Sequence, residues 1–100
     1  MCALWTEACL TFPTLDAIDA GYEVYPVVDA VGGTSPDAHR VALERVAQAG
    51  ARLVSWVQVI CELQRDWARA ETVPAFRQIL FGPPASSSAG LHSGAASAAA

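Results

Sequence analysis

Hydrophobic and polar positions alternate between two periods along the first eighty residues. Residues 2–5 form a short apolar run, and a helical pattern then opens at Thr6. Leu10, Leu15 and Ile18 fall on one side of that pattern and Asp16 and Asp19 on the other. Thr6 is placed to cap the helix, and Gly21 to end it. Pro13 lies inside. It removes one N–H and disturbs the carbonyl of Cys9, which predicts a kink or an irregular first turn.

Residues 22–28, YEVYPVV, are β-branched and aromatic and predict a strand. Pro26 cannot donate to a ladder, so it suits a strand end or a side without a neighbour. After Gly32 and Gly33 comes Ser35-Pro36-Asp37, a helix start with a cap, a pre-set φ and a carboxylate at the positive end of the dipole. Val41, Ala42, Val46 and Ala49 supply the buried stripe, and Gly50 stops the helix. Residues 51–54 predict a third short strand. Ser55 with Gln58 makes a capping-box pattern, followed at helical spacing by Trp56, Ile60, Leu63 and Trp67. A last helical pattern opens at Thr72 and holds Phe76, Ile79 and Leu80.

The order β-α-β-α-β-α-α with short connections implies a parallel sheet with right-handed crossovers. The expected fold is α/β, with three strands and three to four helices. Three parallel strands make a poor free-standing domain, and residues 2–5 have nothing before them to pair with. Residues 1–82 are therefore expected to be the C-terminal half of a Rossmann-like, doubly wound domain, with low stability in isolation. From Pro83 the chain reads PPASSSAGLHSGAASAAA. A tail of that composition cannot offset its ordering entropy and is expected to be disordered.

Composition narrows the function. Of the 100 residues, 53% are hydrophobic and 16% charged, enough apolar material for one small core. A formal net charge of −4 gives nucleic-acid binding no electrostatic support. No apolar stretch reaches bilayer length, so no membrane partner is expected. Glu7 interrupts the first apolar run, and a signal peptide is not expected there. Three cysteines without paired spacing argue against a disulfide framework and for a reducing compartment, hence the cytoplasm.

Cys9 is the candidate for chemistry. A thiol in the first turn of a helix meets the positive end of the peptide dipoles, which favours thiolate. The junction after a parallel strand is also where α/β folds place their sites. On these residues alone, a buried structural thiol explains Cys9 equally well. Cys2 and Cys61 read as core. Cys2, Cys9, Cys61 and His39 have no recognised zinc spacing, so neither metal nor cofactor is expected. His39 reads as a solvated helix residue, and Trp56 and Trp67 as core or subunit contacts. Asp29 reads as a turn-stabilising carboxylate that accepts backbone N–H groups, and Glu62, Arg65 and Asp66 as ordinary surface charges.

The segments LWTEACLTFPTLDAIDAGYEVYPVVDAVGG and HRVALERVAQAGARLVSWVQVICELQRDWAR resemble the isochorismatase-like cysteine hydrolase family, nearest to its YcaC-like branch. The resemblance covers residues 4–80 and rests on T-E-x-C, the G-Y-E-V segment, the D-A-V-G turn and ERVAQAGA together. It implies a parallel sheet with helices on both faces, and hydrolysis of amide or carbamoyl C–N bonds through a covalent cysteine intermediate. The nucleophile would be Cys9. A non-proline cis peptide would join Leu4 to Trp5, and the N–H groups of Trp5 and Cys9 would form the oxyanion hole. The family's aspartate and lysine have no counterpart here, and all six basic residues are arginines. The resemblance thus implies a small-molecule substrate for the complete protein, little or no activity for this chain alone, and a homo-oligomer. The alternative is a non-catalytic α/β module used for assembly or binding.

Overall fold

The computed structural model describes residues 1–82, so the expectation for residues 83–100 falls outside the described residues. The chain enters as an extended segment and turns at once into a π-helical turn, Thr6–Leu10. Four helices follow: α1 (Thr11–Asp19), α2 (Pro36–Gln48), α3 (Trp56–Gln64) and α4 (Val73–Phe81).

The three-stranded parallel sheet expected from the sequence is not formed. Among the described residues there is no strand, and the extended segments meet only in isolated parallel bridges, Leu4 with Gly32 and Val27 with Val54. The fold is therefore helical, with extended connections lying side by side. Hydrogen bonds show why pairing does not propagate. Arg52 N–H donates to Val24 O (2.9 Å), Val54 N–H to Pro26 O (3.0 Å) and Val28 N–H to Val54 O (2.8 Å). In that register the next donor, opposite the Arg52 carbonyl, would be residue 26, and proline has none. On the other side, Met1 N donates to Tyr25 O (2.7 Å) and Val27 N–H to Met1 O (2.9 Å). That segment then leaves for the helix at Thr6.

Helix boundaries follow local chemistry. Ser35 Oγ accepts from Ala38 N–H (3.1 Å), and Ser55 Oγ from Gln58 N–H (3.2 Å), as both sequence patterns require. The Gln58 side chain makes no reciprocal bond to Ser55, and its Nε2 donates to Glu62 Oε1 at 3.1 Å. Gly21 and Gly50 end α1 and α2 at φ 90° and 114°, a region that costs glycine nothing. Asp29 stabilises a start far from itself: its Oδ1 accepts from Trp56 N–H at 2.8 Å.

The core gathers Leu10, Val24, Val31, Ala42, Val46, Ala51 and Val54, where α1, α2 and the π-helical turn pack together. Leu10 and Val46 are fully buried, and burying each such side chain stabilises by about 1.5–3 kcal/mol. Val41, expected in the stripe of α2, is 52% exposed, because Ala42 and Val46 face the core instead. The α3–α4 pair is thinner. Phe76 is its buried apolar residue and meets Trp67 edge-on at 5.2 Å. Trp67 is not on the α3 stripe as expected. α3 stops at Gln64, and Arg65 turns the chain at φ 67°. The buried Gln64 side chain then organises the connection, donating to Asp66 O and Arg69 O and accepting from the Thr72 hydroxyl (2.7 Å).

Candidate active site

Cys9 lies in the π-helical turn, whose far side meets Pro13 in the first turn of α1. An α-helix continuing back from α1 would pair residue 13 with the Cys9 carbonyl, but Pro13 has no N–H. The turn is wide: Leu10 N–H donates to Trp5 O at 3.2 Å, five residues back, and Ala8 N–H shares the same acceptor at 3.2 Å. Single π-turns of this kind recur at functional sites. The irregular turn expected from Pro13 is thus present, as a π-turn rather than a kink.

The peptide bond between Leu4 and Trp5 is cis, at the position the resemblance implies. Trp5 precedes the turn in extended conformation (φ −100°, ψ 145°), and its side chain is 54% exposed. Among the described residues no backbone carbonyl accepts from the Trp5 N–H. The Cys9 thiol is free and exposed among the described residues. Cys2 and Cys61, expected in the core, are exposed as well. Cys2 sits on an extended segment and Cys61 beside Glu62 on the outer side of α3, and no described element covers either.

Two residues read as incidental in the sequence meet this turn. His39 is not a solvated helix residue: its Nδ1 lies 2.8 Å from the hydroxyl of Thr6, whose side chain is fully buried. Thr6 accordingly does not cap the helix, and its carbonyl accepts from the Thr11 hydroxyl at 2.7 Å. Glu7 Oε1 accepts from Thr34 N–H (3.0 Å) and from the Thr34 hydroxyl, while its Oε2 is buried without a partner. The Thr34 hydroxyl, the Glu7 and Thr34 backbone N–H groups and nearby His39 hold the Glu7 carboxyl below the ordinary carboxylate range, against the opposing effect of burial. These contacts join residues 27 and 33 apart in sequence, which no local pattern reveals.

Among the described residues no group of three or more His, Cys, Asp or Glu side chains converges to hold a metal. A shallow groove lined by Met1, Ala17 and residues 22–25 includes neither Trp5 nor Cys9. No described helix is long and apolar enough to cross a membrane.

Residues 2–58 match the isochorismatase domain, and the chain belongs to the isochorismatase family. It is 47% identical over 62 residues to a probable hydrolase, YcaC, of Escherichia coli K12, covering 62% of this chain and 30% of that protein. Solved structures agree. The Escherichia coli YcaC gene product, an octameric hydrolase of unknown specificity, superposes with a TM-score of 0.63 at 33% identity, over 80% of this chain and 46% of that one. YcaC from Pseudomonas aeruginosa, solved with hexane-2,5-diol and covalent acrylamide, gives 0.63 at 34% identity, over 82% and 48%. The chain thus spans about a third of the curated relative and just under half of each solved chain.

Proposed function

We propose that this chain carries the nucleophile of an isochorismatase-family hydrolase acting on amide or carbamoyl C–N bonds of a small molecule. The Cys9 sulfur attacks the carbonyl carbon, the C–N bond breaks, and the nitrogen leaves as an amine with a proton. Water then cleaves the C–S bond of the acyl intermediate and restores the thiol. The N–H groups of Trp5 and Cys9 are the oxyanion donors, each typically worth about 10²–10³ in rate. The observation that carries this reading is an exposed thiol on a π-turn directly after an extended segment, within the matched domain. That the Pseudomonas relative carries covalent acrylamide, a thiol-reactive electrophile, supports it.

The chain lacks lysine, and no carboxylate of the family's base position lies in it, so hydrolysis by these residues alone is expected to be negligible. An octameric relative and the exposed Leu63, Trp67, Ile79 and Phe81 support a homo-oligomer. Three free thiols suit the cytoplasm. The same apolar exposure favours the second reading, an assembly module without catalysis. Competitive alkylation decides between them. All three thiols are exposed, so exposure alone predicts similar rates. Cys9 is expected to react with acrylamide at neutral pH at least about tenfold faster than Cys2 and Cys61. Equal rates would leave the assembly module standing.

A further inference from the structure

The turn that carries Cys9 is fastened to one neighbouring segment at three points. Its backbone is tied where Thr6 N–H donates to Gly32 O at 2.9 Å. Its Thr6 hydroxyl meets His39 Nδ1 at 2.8 Å. One residue on, Glu7 Oε1 takes both donors of Thr34. Thr34 and His39 flank the Ser35 cap, so both side-chain ties end on the same object, the first turn of α2 and the residues leading into it.

That object is itself stiff. Ser35 Oγ holds Ala38 N–H, and the Gly33 backbone lies so close to α2 that a Cβ there would sit 2.8 Å from His39 Cβ and 2.9 Å from His39 N. Charge enters at the same place. The Glu7 carboxylate is kept ionised by Thr34, with His39 close enough to add to the effect. Within the turn itself the Trp5 carbonyl takes the Ala8 and Leu10 N–H groups, so the side-chain ties of Thr6 and Glu7 come in addition to the turn's own backbone bonds.

We infer that Glu7 and His39 are positioning residues: together they clasp the Thr6–Leu10 turn to the start of α2 and thereby fix the orientation of the Cys9 thiol. The catalytic meaning of the clasp rests on Cys9 being the nucleophile; the clasp as a restraint on the turn does not.

The test uses the full 100-residue chain with Cys2→Ser and Cys61→Ser, so that Cys9 is the one remaining thiol. Two readouts are taken on each variant: the rate of iodoacetamide alkylation, and amide exchange at Leu10 and Thr11 compared with Ala42 and Val46. Glu7→Ala and His39→Ala are expected to slow alkylation by about tenfold. They are also expected to speed exchange in the turn while leaving α2 protected. Glu7→Gln retains an oxygen that accepts from Thr34, and His39→Asn places an amide near the Nδ1 position whose oxygen accepts or whose nitrogen donates, whichever the Thr6 hydroxyl requires. Both are expected to recover most of the parent rate, which simple loss of bulk would not allow.

If an alanine variant unfolds, Thr34→Val, which exchanges the hydroxyl bonded to Glu7 for a methyl group and keeps the backbone N–H bond, is read in the same way. A parent Cys9 no faster than free cysteine would sink the nucleophile reading, and the clasp would then stand or fall on exchange alone. Unchanged turn protection in Glu7→Ala and His39→Ala overturns the inference, as does failure of the Gln and Asn variants to rescue.

Discussion

The turn region and the α3–α4 pair are built by opposite means. Around the turn, Thr6, Leu10, Thr11 and Thr14 are all buried, and the polar ones among them are hydrogen-bonded inside the protein. α3 and α4 bury Phe76 and Gln64 and leave Leu63 72%, Ile79 60% and Phe81 68% exposed. Apolar content therefore does not separate the two regions. What separates them is partners: the turn meets α1, α2 and the Gly32 loop, whereas α3 and α4 chiefly meet each other. A region with matched polar ties has one geometry, which a reacting atom needs. A region with an open apolar face is suited to contact with another molecule.

This contrast can be broken most directly by truncation. Leu10→Ala in the turn is expected to cost about 2–5 kcal/mol in urea unfolding, and Leu63→Ala less than about 0.5 kcal/mol. Similar losses would mean that Leu63 is covered in solution and would erase the difference between the regions. A smaller effect is expected from Gly33→Ala. The added Cβ collides with backbone and Cβ atoms of His39 rather than with a flexible side-chain end, so about 1–3 kcal/mol is expected, with loss of the Thr6–His39 contact in the imidazole NMR signals. An unperturbed imidazole in that variant would show the loop to be softer than its packing indicates.

The smallest effect is in pH. Glu7 has a depressed carboxyl pKa in the folded chain, so its contribution is present above the unfolded value and fades as pH falls through the lower folded one. Acid unfolding of Glu7→Gln should accordingly show a shallower loss of stability than the parent below about pH 4. Parallel acid limbs would remove Glu7 from the account of the turn.

Signals confined to a few residues were legible in the sequence. Ser35-Pro36-Asp37 starts α2, Gly21 and Gly50 close their helices, and the turn before Pro13 is irregular. Signals that depend on distant partners were not. The apolar segments read as strands, but whether strands form depends on consecutive donors across a gap, and Pro26 interrupts them opposite Arg52. Thr6 has the chemistry of a cap and spends it on His39. Gln64 looks like a surface residue, and its burial follows from the connection it organises. The exposure of Cys2 and Cys61 likewise depends on what lies over them, which residue type cannot tell.

Asp29 ties α3 back to a bend in the first half of the chain. The first amide of α3 is satisfied by a carboxylate 27 residues upstream, so that helix begins on borrowed chemistry. Nucleation is the costly step of any short helix. α3 thus carries two N-terminal ties, the local Ser55 cap and the Asp29 carboxylate, and the second fastens its start to the bend at residues 27–30.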